Sequence, residues 1–122
     1  MKYRYLLLTT ALLTIAVIRG SAADVVAIHI NGHYFAEPAV IEVTVNVEPD
    51  EANRTLRVEA DGDSFFRSSE VTLDGVSEKR LHTVEFKNLP AGAYEVRAEV
   101  LSAKAVRGMA TQDLEVMGTP GR

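Results

Sequence analysis

The sequence predicts an all-β fold: two packed antiparallel sheets of seven to eight short strands, preceded by an N-terminal leader. Three observations predict it. Apolar and polar residues alternate with period two in most segments after residue 24. Turn residues (Gly, Pro, Asn, Asp) interrupt these segments at strand-length intervals. No segment after the leader keeps a helical period long enough to form an amphipathic helix.

Residues 1–23 read as a secretory signal peptide. Lys2 and Arg4 form its basic start, and an uncharged Leu/Ile-rich stretch follows from Tyr5 to Ile18. That stretch is shorter than the roughly 20 apolar residues a membrane-spanning helix needs, so no stable membrane insertion of the mature chain is expected. Ser21-Ala22-Ala23 supplies small residues for cleavage before Asp24. The domain proper is assigned to residues 24–117 and a flexible tail to 118–122. The expected location is exported, periplasmic or extracellular.

In the first strand Val26, Ile28 and Ile30 share a face. Asn31-Gly32 then predicts a two-residue hairpin, because both positions tolerate positive φ, with Tyr34 and Phe35 on the return arm. Pro38 ends that arm. Ile41, Val43, Val45 and Val47 alternate with Glu42, Thr44, Asn46 and Glu48, the pattern of a half-buried strand. After the loop 49–53, Leu56, Val58 and Ala60 point inward and Arg57 and Glu59 outward. Asp61-Gly62-Asp63 is a turn, and residues 64–73 form a strand with Val71 and Leu73 inward. A polar loop from Asp74 to Arg80 precedes Val84 and Phe86. Tyr94, Val96, Ala98 and Val100 alternate with Glu95, Arg97 and Glu99, and the last strand carries Leu114 and Val116. The predicted core is Ile41, Val43, Val45, Leu56, Val58, Leu73, Val84, Phe86, Leu89, Tyr94, Val96, Ala98, Val100, Leu114 and Val116.

The passage Phe86-Lys87-Asn88-Leu89-Pro90-Ala91-Gly92-Ala93-Tyr94-Glu95-Val96 resembles the strand–corner–strand passage of immunoglobulin-like modules. Fibronectin type III and carboxypeptidase regulatory-like domains carry similar runs. The resemblance implies an immunoglobulin-like antiparallel β-sandwich in which the Tyr94 phenol bonds back across the corner. A weaker resemblance, to small exported copper-binding proteins, spans Tyr94 to Val116. It fails at Lys104-Ala105-Val106, where that family carries an Asp-Gly-His run.

Composition excludes further classes. There is no cysteine, so disulfide scaffolds, zinc fingers and thiol enzymes are out. Thirteen basic residues stand against 17 acidic. Loss of Lys2, Arg4 and Arg19 with the leader leaves 10 against 17, a net charge of −7 over residues 24–122. An acidic domain lacks the cations that replace phosphate counterions, so no nucleic-acid partner is expected.

Candidate sites are few. In the predicted hairpin His29 and His33 point to opposite faces and cannot share a metal ion, and His82 falls in phase with Val84 and Phe86. Asp61, Asp63 and Asp74 with Glu70 offer oxygen ligands of the kind a calcium ion takes, but aspartates in Asp-Gly turns are explained by turn chemistry. Ser68 and Ser69 lack a nucleophile-elbow setting, so no enzyme, resident metal or cofactor is expected. Asn53-Arg54-Thr55 matches a glycosylation sequon. Phe65 and Phe66 are adjacent, so one faces the core and one solvent. Exposed Tyr34, Phe65 or Phe66, with Arg67 beside them, are the candidate binding residues, since aromatics and Arg dominate interface hot spots. The expected function is a non-catalytic exported binding or protein-interaction module whose partner is another protein or a cell-envelope component. The alternative is a periplasmic metal-ion binding or carrier protein.

Overall fold

A computed structural model describes residues 25–119; the leader assigned to residues 1–23 and the end of the tail fall outside this range. Eight strands are formed: β1 (Val26–Ile30), β2 (Tyr34–Ala36), β3 (Ala39–Val47), β4 (Thr55–Gly62), β5 (Phe66–Thr72), β6 (Leu81–Leu89), β7 (Gly92–Leu101) and β8 (Val106–Met117). A three-stranded sheet, β1-β3-β6, packs on a five-stranded sheet, β2-β8-β7-β4-β5. Among the described residues no helix is long and apolar enough to cross a membrane.

The alternation along each strand builds the core. β3 and β7 bury every second residue, and Ile41, Val43, Val45, Val96, Ala98 and Val100 are wholly inaccessible. All the predicted core residues are buried. Val26, Ile30, Ala39, Val47 and Ala60 join them. The Tyr94 hydroxyl donates to the Pro90 carbonyl at 2.7 Å, which closes the predicted corner. Gly92 sits there at φ 153°, and Asn88 adopts φ 60° in the irregular stretch where β6 falls out of register with β3.

The Asn31-Gly32 hairpin does not form. β1 pairs with β3 instead, Ile30 opposite Val43. Asn31 extends that ladder: its N–H donates to the Glu42 carbonyl at 3.3 Å, and its Oδ1 accepts from the Glu42 N–H at 3.0 Å. With its side chain and backbone so engaged, Asn31 caps the β1–β3 pair, and Gly32 does not adopt the positive φ a type I′ turn needs. The chain then crosses to the other sheet, where β2 runs parallel to β8, Tyr34 opposite Glu115. The sandwich is therefore antiparallel except for this pair. The Glu37–Pro38 peptide, which leads into β3, is cis.

β8 starts well before its predicted apolar residues. Gly108, Ala110 and Gln112 occupy its inward positions, a run too small and polar to read as buried. The small side is required: a Cβ on Gly108 would lie 2.8 Å from Val25 Cβ and 3.3 Å from Val26 Cγ1. β1 thus lies close against β8 on this flank.

His82 is buried at 4 % exposure on the inward side of β6, and its Nε2 has no hydrogen-bond partner among the described residues. An unsatisfied buried nitrogen costs about 1–3 kcal/mol. His82→Leu is therefore expected to raise the denaturation midpoint by the equivalent of about 1 kcal/mol. Chemical denaturation checks this, and a lower midpoint would show that Nε2 is satisfied in solution.

Candidate functional site

The outer face of the five-stranded sheet carries Arg57, Glu59, Asp61, Glu70, Glu95, Arg97, Glu99, Asp113 and Glu115. Its ion pairs form two clusters, the first crossing β5, β4 and β7 in register and the second joining β4 to β7. Arg57 sits between Glu70 (3.3 Å) and Glu99 (3.1 Å), and Arg97 sits between Glu59 (3.0 Å) and Glu95 (2.8 Å). The hydrogen bond from Arg57 to Glu70 raises the Arg57 pKa above its ordinary value, and that to Glu95 does the same for Arg97. Both guanidiniums stay charged, and each is shared by two carboxylates.

One row further along, Asp61, Glu95 and Asp113 stand directly opposite one another on β4, β7 and β8. Like charges so placed repel. Arg97 relieves Glu95 only. Among the described residues, Asp61, Asp63, Asp113 and Glu115 make no ion pair. These carboxylates border an open groove of about 680 Å³ at this end of the sheet, with His33, Tyr34, Ala93, Tyr94 and Leu114 also in its walls. Burial pushes the Tyr94 phenol above its ordinary value.

The predicted binding residues separate. Tyr34 is 75 % exposed on β2, at the rim of the groove. Phe66 is 54 % exposed on β5, opposite Asp61 and on the same outer face. The two aromatics lie on opposite edge strands with three strands between them, so roughly 20 Å of sheet separates them. Phe65 turns the other way and packs on the core. Arg67 pairs with Ala60 on the inward side of β5, its guanidinium 5.1 Å from the Phe65 ring centre. Phe65 and Arg67 hold each other and stand apart from the groove. Tyr34 and Phe66 thus share the face with carboxylates of which the sequence reading set Asp61 and Asp63 aside as turn residues and did not single out Glu95, Asp113 and Glu115.

His29 lies on β1 opposite Thr44 and His33 at the groove of the other sheet, so the two are parted by the sheet switch and not by a hairpin. Among the described residues no group of three or more His, Cys, Asp or Glu is arranged to hold a metal ion. The sequon is closed: Asn53 is 1 % exposed, its Nδ2 donates to the Glu48 carbonyl at 3.0 Å, and its Oδ1 accepts from Arg107 Nη1 at 2.6 Å.

No family model matches the chain, and no curated protein matches it. Solved structures do. The superoxide reductase (neelaredoxin) from Ignicoccus hospitalis is 14 % identical with a TM-score of 0.57, covering 75 % of this chain and 80 % of that one. The sulfur carrier protein SoxY from Chlorobium limicola f thiosulfatophilum is 12 % identical with a TM-score of 0.56, covering 85 % and 93 %. A CARDB domain from Pyrococcus furiosus, solved in complex with di-metal ions, is 19 % identical with a TM-score of 0.51, covering 75 % and 87 %. The fold is immunoglobulin-like. At these identities the likeness concerns fold alone. It also corrects the expectation that the chain is no enzyme: a superoxide reductase is built on the same immunoglobulin-like sandwich, so this architecture does not argue against catalysis.

Proposed function

We propose that this protein is an exported binding module, acting in the periplasm or outside the cell, which engages another protein or an envelope component through the outer face of its five-stranded sheet. The carrying observation is the open groove with Tyr34 exposed at its rim. Tyrosine is among the residue types that dominate interface hot spots, and a concavity beside it gives a partner a pocket to fill. Phe66 extends the same face toward β5. Within the immunoglobulin-like class, the corner at 86–96 favours a fibronectin type III-like or carboxypeptidase regulatory-like assignment, because Gly92 and Tyr94 stand where such a corner uses them.

Affinity capture from the source's envelope extract tests the face. Tyr34→Ala and Phe66→Ala are expected to abolish recovery of the partner, whereas Val76→Ala, at an exposed residue of the 74–80 loop, is expected to leave it unchanged. Recovery that survives both aromatic variants would reject this face.

A further inference from the structure

Three groups of observations at the groove point to one ligand chemistry. First, Asp61, Glu95 and Asp113 are held opposite one another on adjacent strands, an arrangement that costs stability when left uncompensated. Second, Arg57 and Arg97 are already shared between glutamate pairs, so neither is left to neutralise Asp61, Asp113 or Glu115. Third, the groove is not purely polar: the exposed Tyr34 ring and Ala93 lie among the acids. An aliphatic stem carrying a cationic head matches such a mixed wall, the stem on the apolar atoms and the head at the carboxylates. An exposed ring adds attraction for the cation. The acids are spread along strands and among the described residues form no metal-holding group, so a bare metal ion matches the groove poorly.

We infer that the groove receives an extended, Lys- or Arg-bearing segment of a protein partner, its cationic heads at Asp61, Asp113 and Glu115 and a stem against Tyr34. This rests on the outer-face reading above. The segment supplies the positive charge that this end of the outer face lacks among the described residues.

The test uses the purified protein and three probes: a nine-residue peptide of alternating Lys and Thr, its Glu/Thr counterpart, and spermidine. The Lys/Thr peptide is expected to shift the backbone amide resonances of Tyr34, Ala93 and Glu115. Its affinity is expected to fall about three- to tenfold in the double variant Asp61→Asn with Asp113→Asn, the size of two exposed ion pairs. The same double variant is expected to melt higher, because the opposed charges are gone. Glu42→Gln with Glu51→Gln removes equal charge away from the groove and is expected to change affinity less than about twofold. Equal weakening by both double variants would reduce the effect to net charge and overturn the inference. Equal binding of the Glu/Thr peptide, or spermidine binding as tightly as the Lys/Thr peptide, would overturn it too. If the Lys/Thr peptide fails to bind while Tyr34-dependent capture persists, the cationic segment is rejected and the outer-face reading stands. If both fail, both are rejected.

Discussion

Replacing Tyr94 with Ala is expected to destabilise the fold by about 3–5 kcal/mol, the range for deleting a buried aromatic. The ring is buried at 4 % exposure, and a Cβ on Gly62 would meet it at 2.7 Å, so neighbouring backbone is already drawn against it and has little room to collapse into the space. Tyr94→Phe separates packing from the corner bond. It keeps the ring and loses the hydroxyl donated to Pro90 at 2.7 Å, and is expected to cost about 1 kcal/mol. Urea denaturation of the two variants checks both figures; no loss in the Phe variant would remove the corner bond from the account. The phenol adds a pH signature. Its pKa is raised in the folded state by burial, so the unfolded chain releases that proton first as pH rises. Stability is therefore unaffected by this group below about pH 10 and declines above it. Tyr94→Phe is expected to flatten part of that alkaline decline.

Asn53→Ala is expected to cost about 2–3 kcal/mol, again read by denaturation. The side chain is the centre of a small polar network. It donates to the Glu48 carbonyl and accepts from Arg107, and Arg107 also reaches Asp50 at 3.3 Å. Truncation leaves a carbonyl and a guanidinium short of a partner in a partly buried setting, which costs more than the bonds themselves contribute. Asn53→Asp keeps both the size and the acceptor facing Arg107, and is expected to be milder. A variant as stable as the parent would mean that water replaces the amide in the loop.

How much of this is legible in the sequence depends on where the information lies. The core is readable because β3, β4 and β7 each alternate strictly, and a strand with one buried face can hold only one register. The corner is readable because Gly92 and Tyr94 are spaced for it. The path of β2 is not. Asn-Gly is a local signal for a hairpin, and it loses to a longer-range one, the extension of the β1–β3 ladder through Asn31 and Glu42. The first half of β8 is hidden because its inward residues are small to admit β1. At the candidate site, Tyr34 and Phe66 stand out as single exposed aromatics. The row Asp61, Glu95 and Asp113 does not: each is an ordinary outward acid on its own strand, and only register brings the three abreast. Asn53 misleads in the same way. A sequon is a property of three consecutive residues, whereas the accessibility of its amide depends on Arg107, far along the chain.

The two flanks of the sandwich differ in their unused hydrogen-bonding capacity. On one, β1 is pressed against β8 at Gly108, and the five-stranded sheet ends in the three-residue β2. On the other, β5 and β6 each have a strand on one side only, leaving seven and nine residues of backbone with a free edge among the described residues. Free edges of this length template the addition of further strands. β5 carries Arg67 on its inward side, a charge that resists such addition, while the outward positions of β6 carry only Glu85 and Lys87 as charges, and these two pair with each other at 3.6 Å. Of these two edges, β6 is the less guarded against the addition of a further strand.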